Sequence, residues 1–155
     1  TTVIKTFKGE SIILSHDTNL PRPYSLGFRV QGSKGIWMAV NKSLYLEGVS
    51  SNPHRWEDAR PYLEKYDHPL WKRLEDQASG AGHGGMDFFI VRAFVEALKD
   101  NQSPVIDVYD AVSMSVIVPL SEKSIRLNSA SVKIPDFTRG KWKTNKPIFG
   151  LTDAY

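Results

Sequence analysis

The chain has 155 residues, of which 41% are hydrophobic, 11% aromatic and 24% charged, the composition of an ordinary compact domain and not of a disordered or collagenous chain. Twenty Lys and Arg against seventeen Asp and Glu leave a net charge of +3, too small to argue by itself for nucleic acid or a membrane surface. The lack of cysteine excludes disulfides, thiolate metal sites and a cysteine nucleophile, and no apolar run approaches the ~18 residues of a membrane helix.

The first residue is Thr1, not Met, and Val3-Ile4 already reads as strand, the pattern of an excised segment or of a trimmed whole protein. Up to Val49 the apolar residues come in short runs with period two: Val3 to Phe7, Ile12 to Leu14, Leu26/Phe28/Val30, Ile36/Met38/Val40 and Leu44/Leu46. The turn-like connections Lys8-Gly9, Gly32-Ser33-Lys34-Gly35 and Asn41-Lys42-Ser43 predict antiparallel pairing as a meander. The stretch from His16 to Tyr24 is longer than a hairpin needs. Pro21 and Pro23 stiffen it, and it carries His16, Asp17, Arg22 and Tyr24, groups suited to binding at one end of a sheet.

From Pro53 the period becomes helical. Trp56, Ala59 and Leu63 predict the face of a short helix, and Leu70, Leu74 and Ala78 that of the next, with Asp67-His68-Pro69 between them. Phe88, Val91, Val95 and Leu98 predict the buried face of a third helix, with Asp87 at its positive end. A last helix is expected from Pro104 or Asp107, burying Val108, Val112, Val116 and Leu120 and bent at Pro119. Asp107 and Asp110 read as its start, not as an acid/base pair. Residues 1–142 thus form one α+β domain, an antiparallel or mixed open sheet with helices on one face, and residues 143–155 an extended arm anchored by Trp142, Ile148 and Phe149.

Gly80-Ala81-Gly82-His83-Gly84-Gly85 formally satisfies the dinucleotide fingerprint, but a true fingerprint follows a strand, and here the preceding Trp71 to Ser79 reads as helix. The glycines permit a sharp helix-to-helix corner. They leave His83 either held out to a ligand or hydrogen-bonded as a structural histidine. Arg22 offers a planar donor fork and Tyr24 a ring with a polar tip, a pair able to grip a sugar; the plainer alternative is an Arg22–Asp17 ion pair with Tyr24 packed on the sheet rim. His16, His54, His68 and His83 never fall three or four residues apart, so no helical face presents a metal-binding pair. Arg139, Lys141, Lys143 and Lys146 beside Trp142 could grip a phosphate backbone, or simply dock on their own domain.

Several strings are more specific than these motifs. Pro21-Arg22-Pro23-Tyr24-Ser25, His68-Pro69-Leu70-Trp71, the glycine string with Met86-Asp87-Phe88, Ile106-Asp107-Val108-Tyr109-Asp110, Pro119-Leu120-Ser121-Glu122 and Pro135-Asp136-Phe137-Thr138-Arg139-Gly140-Lys141-Trp142 occur in order over most of the chain. Together they resemble the C-terminal portion of the bacterial NAD-dependent alpha-N-acetylgalactosaminidases, glycoside hydrolase family 109, within the Gfo/Idh/MocA oxidoreductase superfamily.

The resemblance implies a two-domain parent whose N-terminal Rossmann domain holds NAD and whose second domain is this chain. It implies a redox-assisted elimination: oxidation of the sugar 3-hydroxyl, loss of the C2 proton, elimination of the glycoside, water addition and return of hydride, a route needing no pair of conventional carboxylates. Tyr24 matches a family tyrosine that reaches the sugar, with His83 and Arg22 as further substrate-binding candidates; no residue is assigned a catalytic, cofactor or metal role. The expected partners are the N-terminal domain, a carbohydrate and a second copy across the open face of the sheet, with neither nucleic acid nor membrane, and the isolated chain is expected to hold no NAD and to be inactive. A sugar dehydrogenase of the same superfamily and a stand-alone binding module are the alternatives, and the compartment stays open.

Overall fold

The structure, a computed structural model, describes residues 1–145. They form two compact units, Thr1–Asp67 and a second that begins at His68.

In the first unit, β1 (Thr2–Lys5) and β2 (Ser11–Leu14) pair antiparallel with Val3 opposite Ile13. Their turn is closed by the Thr6 amide donating to the Glu10 carbonyl at 2.9 Å. Four further strands, β3 (Arg29–Gly32), β4 (Gly35–Met38), β5 (Ser43–Leu46) and β6 (Glu57–Asp58), form a second antiparallel sheet in chain order. The alternation therefore specifies the meander, but the long loop after β2 separates two sheets instead of linking strands of one. Gly32 pairs with Gly35, so Ser33-Lys34 is a two-residue turn. A side chain at Gly35 would meet the Tyr45 carbonyl at 2.6 Å, which is why glycine stands where β4 crosses β5 so closely.

Trp37 lies opposite both Val30 and Leu44, which puts the three on one face of the sheet. There Trp37, Leu44 and Leu46 meet Tyr62, Leu63 and Tyr66 of α1 (Arg60–Tyr66) around an open apolar recess of about 340 Å³. Trp56 does not join a helical face with Ala59 and Leu63 as expected. The two residues after it become β6, because Glu57 accepts the Ser51 amide at 2.9 Å and the Tyr62 hydroxyl at 2.7 Å. Asp58 then takes the Arg60 amide at 2.9 Å, and the helix starts only there, with Pro61 in its first turn where a missing N–H costs nothing.

In the second unit, α2 (Pro69–Ala78) is capped by His68, whose Nδ1 accepts the Leu70 amide at 3.1 Å, and buries Leu70, Leu74 and Ala78 as their spacing predicts. A 3-10 turn at His83–Gly85 leads into α3 (Met86–Lys99). The buried stripe of α3 runs through Phe89 and Ala93, with Trp71 and Phe89 rings 5.0 Å apart, whereas Val91, Val95 and Leu98 of the predicted face are exposed. The Gly85 backbone, pressed against Ala78 and Trp71, lets this side approach α2 closely, and the Trp71–Phe89 contact sets the rotation of the helix.

The expected last helix is two, α4 (Val108–Ser115) and α5 (Ile117–Arg126). Pro119 has no N–H for the Ser115 carbonyl, so the ladder breaks near Val116 and Pro119 falls into the first turn of α5. Val108 and Val112 are exposed, not buried. The start of α4 is as read: Asp107 accepts the Tyr109 and Asp110 amides at 2.8 and 3.0 Å while Asp110 accepts the Asp107 amide at 3.3 Å. A second 3-10 turn covers Lys141–Lys143, and the anchors Ile148 and Phe149 lie outside the described residues. Strands precede helices, and the class is α+β.

Candidate functional site

Tyr24 and Arg22 sit on the irregular segment between β2 and β3, the only substantial stretch of the first unit where prolines replace ladder-forming residues. Pro21 and Pro23 fix two φ angles of the segment, which ends where the Gly27 amide donates to Ser25 Oγ at 3.2 Å with Gly27 in the left-handed region, φ 57°. Tyr24 is 88% exposed, so it does not pack on the sheet rim. Among the described residues Arg22 forms no ion pair with Asp17. A ring and a guanidinium of this kind suit a ligand that offers hydroxyl groups and a flat C–H face.

His83 belongs to the second unit and is built differently. His83, Gly84 and Gly85 are consecutive left-handed residues, with φ of 52°, 69° and 98°. A side chain at Gly85 would stand 3.2 Å from Ala78 and 3.3 Å from the Trp71 ring, so the corner is pressed against α2. One at Gly82 would collide with Asp87 Oδ2, so glycine leaves room for the carboxylate to turn this way. Into this space Asp87 turns, its two oxygens 2.9 and 3.0 Å from His83 Nδ1.

An anionic carboxylate needs a donor, so Nδ1 carries the hydrogen and Nε2 is left facing outward on a side chain that is 82% exposed. A carboxylate on Nδ1 fixes both the tautomer and the ring orientation. The arrangement can therefore accept or deliver a proton at Nε2. Asp87, expected only as an acid at the positive end of α3, is thus also the partner of His83, and the His-x-x-x-Asp spacing gives no sign of it because His83 precedes the helix in the left-handed region.

The glycine string does not fit a dinucleotide. It follows helix α2, the Gly85 amide is taken by the Ala81 and Gly82 carbonyls at 3.2 and 3.1 Å, and the Asp87 carboxylate puts negative charge where a pyrophosphate would lie. Among the described residues no three His, Cys, Asp or Glu come together to hold a metal.

Other polar clusters are structural. Asp136 accepts the Thr138 hydroxyl at 2.7 Å, the Thr138 and Gly140 amides at 3.0 and 2.7 Å, and the Trp142 indole at 3.2 Å, and these bonds, the hydroxyl first, hold its carboxyl below the usual carboxylate range. The Pro135 to Trp142 string is a knotted turn. In the first unit the Arg60 side chain, donating from Nε at 2.8 Å, brings Asp58 from its ordinary 3.8 to about 2, and the Tyr62 hydroxyl lowers Glu57.

The sequence matches the family model described as the glycosyl hydrolase 109 C-terminal domain over residues 1–144. A glycosyl hydrolase family 109 protein of Stenotrophomonas maltophilia is 55% identical over 155 residues, all of this chain and 34% of the relative. Proteins named alpha-N-acetylgalactosaminidase from Tannerella forsythia and Shewanella oneidensis are 48% and 42% identical, covering 97% and 99% of this chain and 32% and 34% of their own lengths. The chain thus spans about a third of the curated relatives it matches.

Proposed function

Since the chain belongs to the glycosyl hydrolase 109 C-terminal domain family, we propose that it is the substrate-side domain of a longer NAD-dependent glycosidase that cleaves alpha-N-acetylgalactosaminides. The observation that carries this reading is that nearly all of this chain matches about a third of each of two relatives named for that activity. In this reading residues 1–142 are one domain, and the redox cofactor belongs to the part of the parent that precedes them, because the glycine string here does not fit it. Tyr24 and Arg22 are sugar contacts, the ring against the pyranose face and the guanidinium on its hydroxyl or acetamido oxygens.

His83 is a pocket residue in the parent, and its orientation by Asp87 supports a role in moving a proton to or from the substrate through Nε2. A general acid or base of this kind contributes about 10²–10⁴-fold to turnover.

The full-length parent, incubated with an aryl alpha-N-acetylgalactosaminide, is expected to release the aglycone without net accumulation of NADH, while the isolated chain releases none. Stoichiometric NADH without aglycone would make the parent a sugar dehydrogenase and overturn the glycosidase reading.

A further inference from the structure

α3 is apolar on two sides. One side, through Phe89, packs on Trp71 of α2. On the other, Ile90, Val91, Phe94, Val95 and Leu98 recur at i, i+1, i+4, i+5 and i+8 and are 40–61% exposed. Such spacing makes a continuous stripe one helical face wide. Beside it the segment Pro104-Val105-Ile106 closes a groove of about 340 Å³ against Ile90, Ala93 and Phe94, lined almost wholly by carbon. A helix that is apolar nearly all round is a buried helix of a larger body, and water contact along a stripe of this kind is costly.

The chain spans about a third of its relatives and matches the C-terminal domain of their family, so roughly two thirds of such a protein precedes it. We infer that the open stripe of α3 and its groove are the seat of that preceding portion of the parent polypeptide, which covers them with an apolar surface of its own. The inference rests on the reading of the chain as part of a longer parent. It commits to a surface of the same polypeptide and not to a second copy.

The test uses the full-length parent with photoreactive p-benzoylphenylalanine in place of Phe94. Irradiation is expected to give a product of monomer mass, cross-linked to a peptide from the portion that precedes Thr1. A product of dimer mass, or no cross-link to the preceding portion, overturns the inference.

Should that variant fail to fold, Leu98→Cys in the parent serves instead. Its thiol is expected to react with a maleimide about 100-fold more slowly than one introduced by Glu75→Cys on the exposed side of α2, the difference vanishing in denaturant. Equal rates in the native protein overturn it. A parent that cross-links but releases no aglycone keeps this inference and removes the glycosidase reading; one that releases aglycone with an unprotected stripe does the reverse.

Discussion

The loop that carries Arg22 and Tyr24 and the glycine corner that carries His83 both hold polar side chains out to solvent, yet they do so by opposite means. The loop is stiffened only by Pro21 and Pro23, and Tyr24 touches so little of its own unit that it is 88% exposed. At the corner, three left-handed residues, a missing side chain at Gly82 and the Asp87 carboxylate fix one imidazole orientation. A residue that stacks on a sugar can be ordered by the sugar, whereas one that moves a proton must already point the right way, and the strain of a left-handed histidine is accepted where that is required.

The sharpest way to break this contrast is to substitute at the corner. Gly85→Val adds branched atoms at φ 98° against Ala78 and Trp71, and should destabilise the parent by about 3 kcal/mol. Gly84→Ala, at φ 69° with open space around it, should cost only about 1 kcal/mol. Thermal unfolding of the two variants compares them directly, and equal melting temperatures would mean that the corner is not pressed on α2. In the loop, Tyr24→Ala should leave the melting temperature unchanged and lower turnover on the sugar by about tenfold, the worth of one stacked ring. Unaltered kinetics would remove Tyr24 from the site.

The smallest effect concerns Asp58, away from both regions. Its folded value of about 2 lies below the ordinary 3.8, so the folded chain binds this proton less readily than the unfolded one. Its contribution is whole above about pH 4 and fades as pH falls through about 2. Comparing urea midpoints of the wild type and Asp58→Asn should show a gap that narrows over that window, and a slight one, since the pair is exposed. A gap independent of pH would contradict the Asp58–Arg60 bond.

Much of the fold was legible because local chemistry and tertiary need agree. Alternation gave the strands, Gly32-Ser33-Lys34-Gly35 the turn, Leu70, Leu74 and Ala78 the buried stripe of α2, and Asp107 with Asp110 the start of α4. The failures have physical causes. Periodicity cannot choose between two apolar faces of α3, and the contact that chooses, Phe89 on Trp71, depends on Gly85, a residue with no side chain, lying against α2. The two-residue β6 is too short to carry a period, and its pairing rests on side-chain bonds of Glu57. Of the candidate site, Tyr24, Arg22 and His83 could be nominated from residue type and resemblance. The partner of His83 could not, because reading His83 and Asp87 together requires the left-handed turn that folds one back onto the other.

The claim beneath all of this is that the chain faces the substrate and not the cofactor. It is tested most directly by His83→Ala in the full-length parent, with tightly bound NAD and turnover on an alpha-N-acetylgalactosaminide measured on the same preparation. The account predicts NAD content equal to the wild type and turnover lowered by about 100-fold or more. Loss of NAD, or full turnover, would contradict it.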